Sequence, residues 1–176
     1  TGKTRIESDL IGAREIPAEA LYGVQTLRGI ENFSISKFRL SEYPLFIKGL
    51  AITKMAAAMA NFELGLLTVE QKDAIIAACG EILDGKHHDQ FPVDMIQGGA
   101  GTTTNMNANE VIANRALELM GHERGEYQYC SPNDHVNCSQ STNDAYPTAI
   151  HIGMYFKHLQ LLPHLEELKN HSDRKS

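Results

Sequence analysis

Apolar residues recur at three- and four-residue spacing in five stretches, the repeat that gathers side chains on one face of a helix. Pro17 sits where the first turn of a helix tolerates proline, and Ala18, Ala20, Leu21, Val24 and Leu27 follow it, predicting a short helix from about Ala18 to Ile30. After Pro44, the positions Phe46, Leu50, Ile52, Met55, Ala56 and Met59 predict an amphipathic helix through an alanine-rich run ending near Gly65. Thr68, followed three residues later by Gln71, reads as a capping box. Beyond it Ala74, Ile75, Ala78, Ile82 and Leu83 form the apolar face of a helix stopped by Gly85. These two helices are expected to pack antiparallel. A further helix from Met106 carries Val111, Ile112, Ala116, Leu119 and Met120 and stops at Gly121. The last begins near Asp144 and repeats Ile152, Tyr155, Leu159, Leu162, Leu165 and Leu168, with Pro163 as a candidate kink.

Between these stretches the pattern weakens. Thr1 to Glu15 mixes polar and apolar residues without a strong period, and Phe91 to Met95 suits a short strand or an extended linker. Gly98-Gly99-Ala100-Gly101 places three glycines in four positions and reads as a loop, as does the stretch from Gly125 to Asn133. No repeat of solenoid period is present. The last helix carries its stripe to Leu168 with no later segment to cover it, so it is expected to need partners from outside the chain.

Composition narrows the function classes. The length of 176 residues suits one ordinary core or two small ones. With 42% hydrophobic and 22% charged residues the chain is globular in type. Sixteen Lys and Arg against 22 Asp and Glu leave a net charge of −6, which disfavours nucleic acid and anionic membranes as partners. The three cysteines, Cys79, Cys130 and Cys138, are odd in number and lack C-x-x-C spacing, against a disulfide framework or a structural zinc site. No apolar h-region opens the chain, and no uninterrupted apolar stretch reaches the ~18 residues that span a bilayer. A reducing cytoplasm is the expected setting.

Two polar segments carry the candidate chemistry. From Gly98 to Asn105, glycines admit close backbone approach, three threonines follow, and a helix N-terminus comes next with its free N–H groups. A P-loop is excluded, because no Lys or Arg occurs from Gln97 to Asn114, and G-x-G-x-x-G is absent. An ordinary turn whose threonines cap the helix has the same composition and, taken alone, is the more frequent case. Ser139-Gln140-Ser141-Thr142-Asn143-Asp144 is again a run of neutral donors before a helix, and N-capping alone would account for it. The pair suits a small carboxylate held by oriented dipoles, although a dicarboxylate would also want a cation, which these segments lack. His87-His88-Asp89 reads as a solvated helix end rather than a metal site, and Cys130 and Cys138 read as packing residues.

At these two segments the sequence resembles the aspartase/fumarase superfamily. Gly98-Gly99-Ala100-Gly101-Thr102 continuing through Asn105-Met106-Asn107-Ala108-Asn109-Glu110, and Pro132-Asn133-Asp134-His135-Val136-Asn137 leading to Ser139-Gln140-Ser141-Thr142-Asn143-Asp144, are similar to its first two signature blocks. The likeness extends outward through Arg5-Ile6-Glu7, Arg14-Glu15-Ile16-Pro17-Ala18 and Tyr22-Gly23-Val24-Gln25, and so covers nearly the whole chain. Ala100, Thr142 and Ser131 stand where class II fumarases usually carry other residues, so the aspartase branch is the nearer resemblance and class II fumarase the alternative.

The resemblance implies a mainly α fold: residues 1–141 as an N-terminal, mostly helical domain with two substrate-binding loops, and residues 142–176 as the first long helix of a central bundle. It implies reversible deamination of L-aspartate to fumarate and ammonia through an aci-carboxylate dianion. Thr102, Ser141 and Thr142 would hold the side-chain carboxylate, and Asn143 the α-carboxylate or amino end. Asn107 and His135 would support these groups from behind. No metal ligands are implied and no cofactor is required, although a divalent ion such as Mg2+ is expected as a possible activator. Family sites are shared between subunits of a homotetramer, with the serine base on a G-S-S-x-M-P-x-K-x-N loop that these residues do not contain, so no catalytic base is expected in this chain and no turnover by it alone. A non-catalytic module that binds a dicarboxylate or pairs through its last helix remains a reading of another class.

Overall fold

A computed structural model describes residues 2–173, so the outermost residues of the two expected domains, 1 and 174–176, lie outside the described residues. The fold is mainly helical, as expected, with one small sheet. Thr4–Asp9 (β1) and Gly12–Pro17 (β2) form an antiparallel hairpin that pairs Thr4 with Pro17 and Asp9 with Gly12. Only Glu7 in β1 and Ile16 in β2 are buried, so no alternating face announces the strands.

Pro17 closes β2 instead of opening a helix, and the first helix, Val24–Asn32 (α1), starts later than the expected Ala18. Gly23 precedes α1 and has no side chain to cap it. The buried Glu110 carboxylate does so from far along the chain, accepting from the N–H groups of Gly23 (2.8 Å), Gln25 (2.8 Å) and Thr26 (3.0 Å) and from Thr26 Oγ1 (2.6 Å). Burial pushes the Glu110 carboxyl above its usual range, against the pull of these donors.

Pro44–Glu63 (α2) and Val69–Leu83 (α3) match the expected helices and pack on each other, with Pro44 in the first turn of α2 and the Thr68–Gln71 capping box opening α3. Thr102–Leu119 (α4) begins one turn before the expected Met106, because left-handed Gly101 (φ 83°) turns the chain directly into the helix. Thr142–Asp173 (α5) runs continuously through Pro147 and Pro163. Pro132–Val136 forms a π-helical turn that begins within the loop expected from Gly125 to Asn133. The linker after Phe91 is extended, with Asp94 bridged to Arg39.

The core gathers α2, α3 and α4, with Leu50, Ile75, Ile82, Ile112 and Leu117 essentially inaccessible. The buried face of α2 is Ile47, Leu50, Ala51, Lys54, Ala58 and Asn61, whereas Ala56 and Met59, expected inside, are exposed. Mean hydropathy reaches 1.3 in an 18-residue window of α2. Periodicity therefore cannot select the face of so apolar a helix. That figure would also suit a membrane span by composition, but in this fold α2 packs between α3 and α5. The crossing of α5 over α2 is tight. A Cβ on Gly49 would fall 2.2 Å from the carbonyl oxygen of Ala149, and one on Gly153 would fall 3.1 Å from that of Leu45. Beyond Gly153 the side chains of α5 are largely exposed.

Candidate active site

The two polar segments meet at the N-terminal ends of α4 and α5. Gln97, Gly99, Ala100 and Gly101 line one side of a cleft of about 360 Å3, and Asn143, Tyr146, Pro147 and Ile150 line the other. Gly101 makes this approach possible, since the Tyr146 ring lies where a Cβ would project. Gln97 ties the glycine loop to α4: its Oε1 accepts from the Thr104 N–H (2.8 Å) and its Nε2 donates to Thr104 Oγ1 (2.7 Å). Gly101 offers no side-chain cap, so the positive end of an 18-residue helix opens beside the cleft. A larger neighbouring cleft of about 690 Å3, lined by Pro44, Phe46, Ile150 and Met154 among others, is predominantly apolar and suits a charged ligand poorly.

Among the predicted binding residues, Thr102, Ser141 and Asn143 are exposed at the helix ends and Thr142 is half-buried. Ser141 Oγ accepts from the Asn143 N–H (3.2 Å), which shapes the turn into α5. Thr142 Oγ1 accepts from Asn105 Nδ2 (3.1 Å), a direct bond between the two segments. Asn107 and His135 are not drawn to this junction. Asn107 Nδ2 donates to the Gln90 carbonyl (3.0 Å), while His135 Nδ1 accepts from the Ser131 N–H (2.7 Å) and its Nε2 lies 3.2 Å from Gln71 Nε2. Burial lowers the His135 pKa, favouring the neutral ring.

Sequence reasoning missed the group behind this junction. Lys54, fully buried on α2, donates from Nζ to Asn137 Oδ1 (3.0 Å) and Gln140 Oε1 (2.9 Å). Asn137 Oδ1 also accepts from Asn105 Nδ2 (3.0 Å) and Asn109 Nδ2 (3.1 Å). The segments have no basic side chain of their own, yet the fold brings one to the amide network that supports them. Desolvation lowers the Lys54 pKa to about 7, with the Cys79 thiol on α3 acting weakly the other way. Ser139, at φ 56°, bends the backbone so that Gln140 turns inward. Lys54 falls at helical spacing among Ile47, Leu50, Ala51 and Ala58, but periodicity does not pick out that face of so apolar a helix. Among the described residues no group of three His, Cys, Asp or Glu side chains is placed to hold a metal ion.

Comparison with known proteins places this geometry in a family. A family model described as "Lyase" matches residues 12–176. The chain is 57% identical over 173 residues to an aspartate ammonia-lyase of Escherichia coli K12, covering 98% of this chain and 36% of that protein. It is 59% identical over 166 residues to one from Helicobacter pylori J99, covering 94% and 36%. Among solved structures, the fumarate lyase:delta crystallin of Brucella melitensis bound to cobalt superposes with a TM-score of 0.93 at 52% identity, over 94% of this chain and 36% of that one. A class II fumarase of Schistosoma mansoni gives 0.80 at 39% identity, over 86% and 32%. The chain thus spans about a third of the length of these relatives. With a matching model over most of its length and a shared fold, it belongs to the aspartase/fumarase family of lyases.

Proposed function

We propose that the protein carrying this chain catalyses the reversible deamination of L-aspartate to fumarate and ammonia. The observation that carries the reading is identity of 57–59% to aspartate ammonia-lyases, against 39% to a class II fumarase structure. The site chemistry agrees with it. Proton abstraction next to the side-chain carboxylate leaves an aci-carboxylate dianion, and stabilising that added charge is the main catalytic demand. Thr102, Ser141 and Thr142 present hydroxyl donors at two helix ends suited to that carboxylate, and Asn143 on the cleft wall takes the α-carboxylate or amino end.

No residue of this chain is assigned as the base. In this reading a serine and a lysine come from a segment outside these residues, the active site is shared between subunits of a homotetramer in the cytoplasm, and the chain alone does not turn over substrate. A divalent ion such as Mg2+ stays in the proposal as an activator, with no residue assigned to it. The test follows absorbance of fumarate when L-aspartate, or separately L-malate, is added to the complete polypeptide. Fumarate from aspartate is the expected result. Fumarate from malate alone would replace this function with that of a fumarase.

A further inference from the structure

Lys54 has hydrogens to give and, as an ammonium, no lone pair to accept with. Its contacts hold the Asn137 and Gln140 amides oxygen inward, the sense also favoured by Asn137 Nδ2 donating to the Gln140 carbonyl (3.1 Å) and Gln140 Nε2 donating to the Val136 (2.8 Å) and Cys138 (3.1 Å) carbonyls. Asn137 Oδ1 then decides the next pair: the amides of Asn105 and Asn109 must turn their NH2 groups toward it. That choice has a cost, because the buried Asn105 Oδ1 and Asn109 Oδ1 have no partner among the described residues. Reversing either amide would press one oxygen against another at Asn137. The last link is Asn105 Nδ2, which donates to Thr142 Oγ1 and makes that oxygen an acceptor. A hydroxyl that already accepts from Asn105 still has its own hydrogen to give.

We propose that Lys54 is a positioning residue of the dicarboxylate site, anchoring an Asn137–Asn105 relay that holds the Thr142 hydroxyl as a donor to the ligand. The inference rests on the aspartate reading above and adds a residue that does not touch substrate. The relay's sense survives loss of the Lys54 proton, because a neutral amine still has two hydrogens for two acceptors, Asn137 and Gln140. The groups bonded to Lys54 are the neutral amides of Asn137 and Gln140 in the loop before α5, and the Cys79 thiol of α3 is the titratable neighbour acting on it.

The test is a double-mutant cycle in the complete polypeptide, with kcat and KM for L-aspartate measured per folded active site. Thr142→Val removes a donor to the developing dianion and is expected to lower kcat by about 100-fold. Lys54→Met is expected to lower kcat by about 10-fold, with KM changed by less than about 3-fold, because the lost interaction grows in the transition state. Added to Thr142→Val, it should cost less than about 2-fold more, since both changes act through one hydroxyl. A Lys54→Met protein with unchanged kcat, or losses that multiply in the double variant, would overturn the proposal. Should Lys54→Met fail to fold, the cycle is run with Asn137→Leu in its place. It should lower kcat by about 10-fold alone and by less than about 2-fold when added to Thr142→Val; losses that multiply overturn the relay. A wild-type protein inactive on aspartate would overturn the functional reading and this inference together, while an active wild type with a multiplicative cycle overturns the inference alone.

Discussion

At Gly101 two constraints coincide: φ is 83°, and a Cβ would come within 2.2 Å of Tyr146 Cδ2. Gly101→Ala must strain the backbone and displace the ring that closes the cleft, for about 2–4 kcal/mol in total. The expected outcome is a loss of kcat/KM of at least about 10-fold, exceeding what lower stability alone removes when activity is referred to folded protein. Charge is also organised residue by residue. The Glu81 carboxyl is held at about 2, first by hydrogen bonds from Arg115 (2.6 and 2.8 Å) against some desolvation, then by His87 (2.8 Å). A carboxylate whose folded pKa lies below its unfolded value of 4.5 adds stability in full above that value, and loses it as pH falls toward about 2. Denaturant melts of the wild type and Glu81→Gln should therefore differ most near pH 6, and the difference should shrink steadily between about pH 5 and pH 2.

Between elements, α5 crosses α2 backbone against backbone at Gly49 and Gly153. Gly49→Val would drive side-chain atoms into the Ala149 carbonyl, so thermal unfolding should come several degrees lower, for an overpacking cost of about 1–3 kcal/mol or more. Elements that bury one stripe locally were legible from sequence: of the α3 face read as Ala74, Ile75, Ala78, Ile82 and Leu83, the first four are buried and Leu83 is half-buried. Elements defined by distant partners were not. The hairpin has a single buried residue per strand, and the start of α1 depends on a carboxylate 84 to 87 residues away. In the same way both donor segments could be read from their hydroxyls and amides. The lysine that orients the amides behind them could not, because it joins them only once α2, α4 and the approach to α5 are packed together.

For the molecule as a whole, the exposed half of α5 is the feature that calls for company. Leu159, Leu161, Leu162, Leu165 and Leu168 are each at least 39% accessible on one helix. In the proposed tetramer this surface lies between subunits, where charge is poorly tolerated. Leu162→Glu combined with Leu165→Glu should lower the sedimenting mass of the complete polypeptide below that of a tetramer and abolish activity with it. A stable, active tetramer carrying both changes would show that the bundle assembles through another surface.

The same helix also has a mechanical side. At 1.5 Å per residue, α5 extends about 30 Å beyond the Gly153 contact and about 16 Å before it, with Thr142 at the short end. It is a lever with arms of roughly two to one about a backbone fulcrum. A sway of about 2 Å at the far end carries the hydroxyl end through about 1 Å, enough to spoil the aim of a hydrogen bond. Whatever grips the long arm steadies the short one.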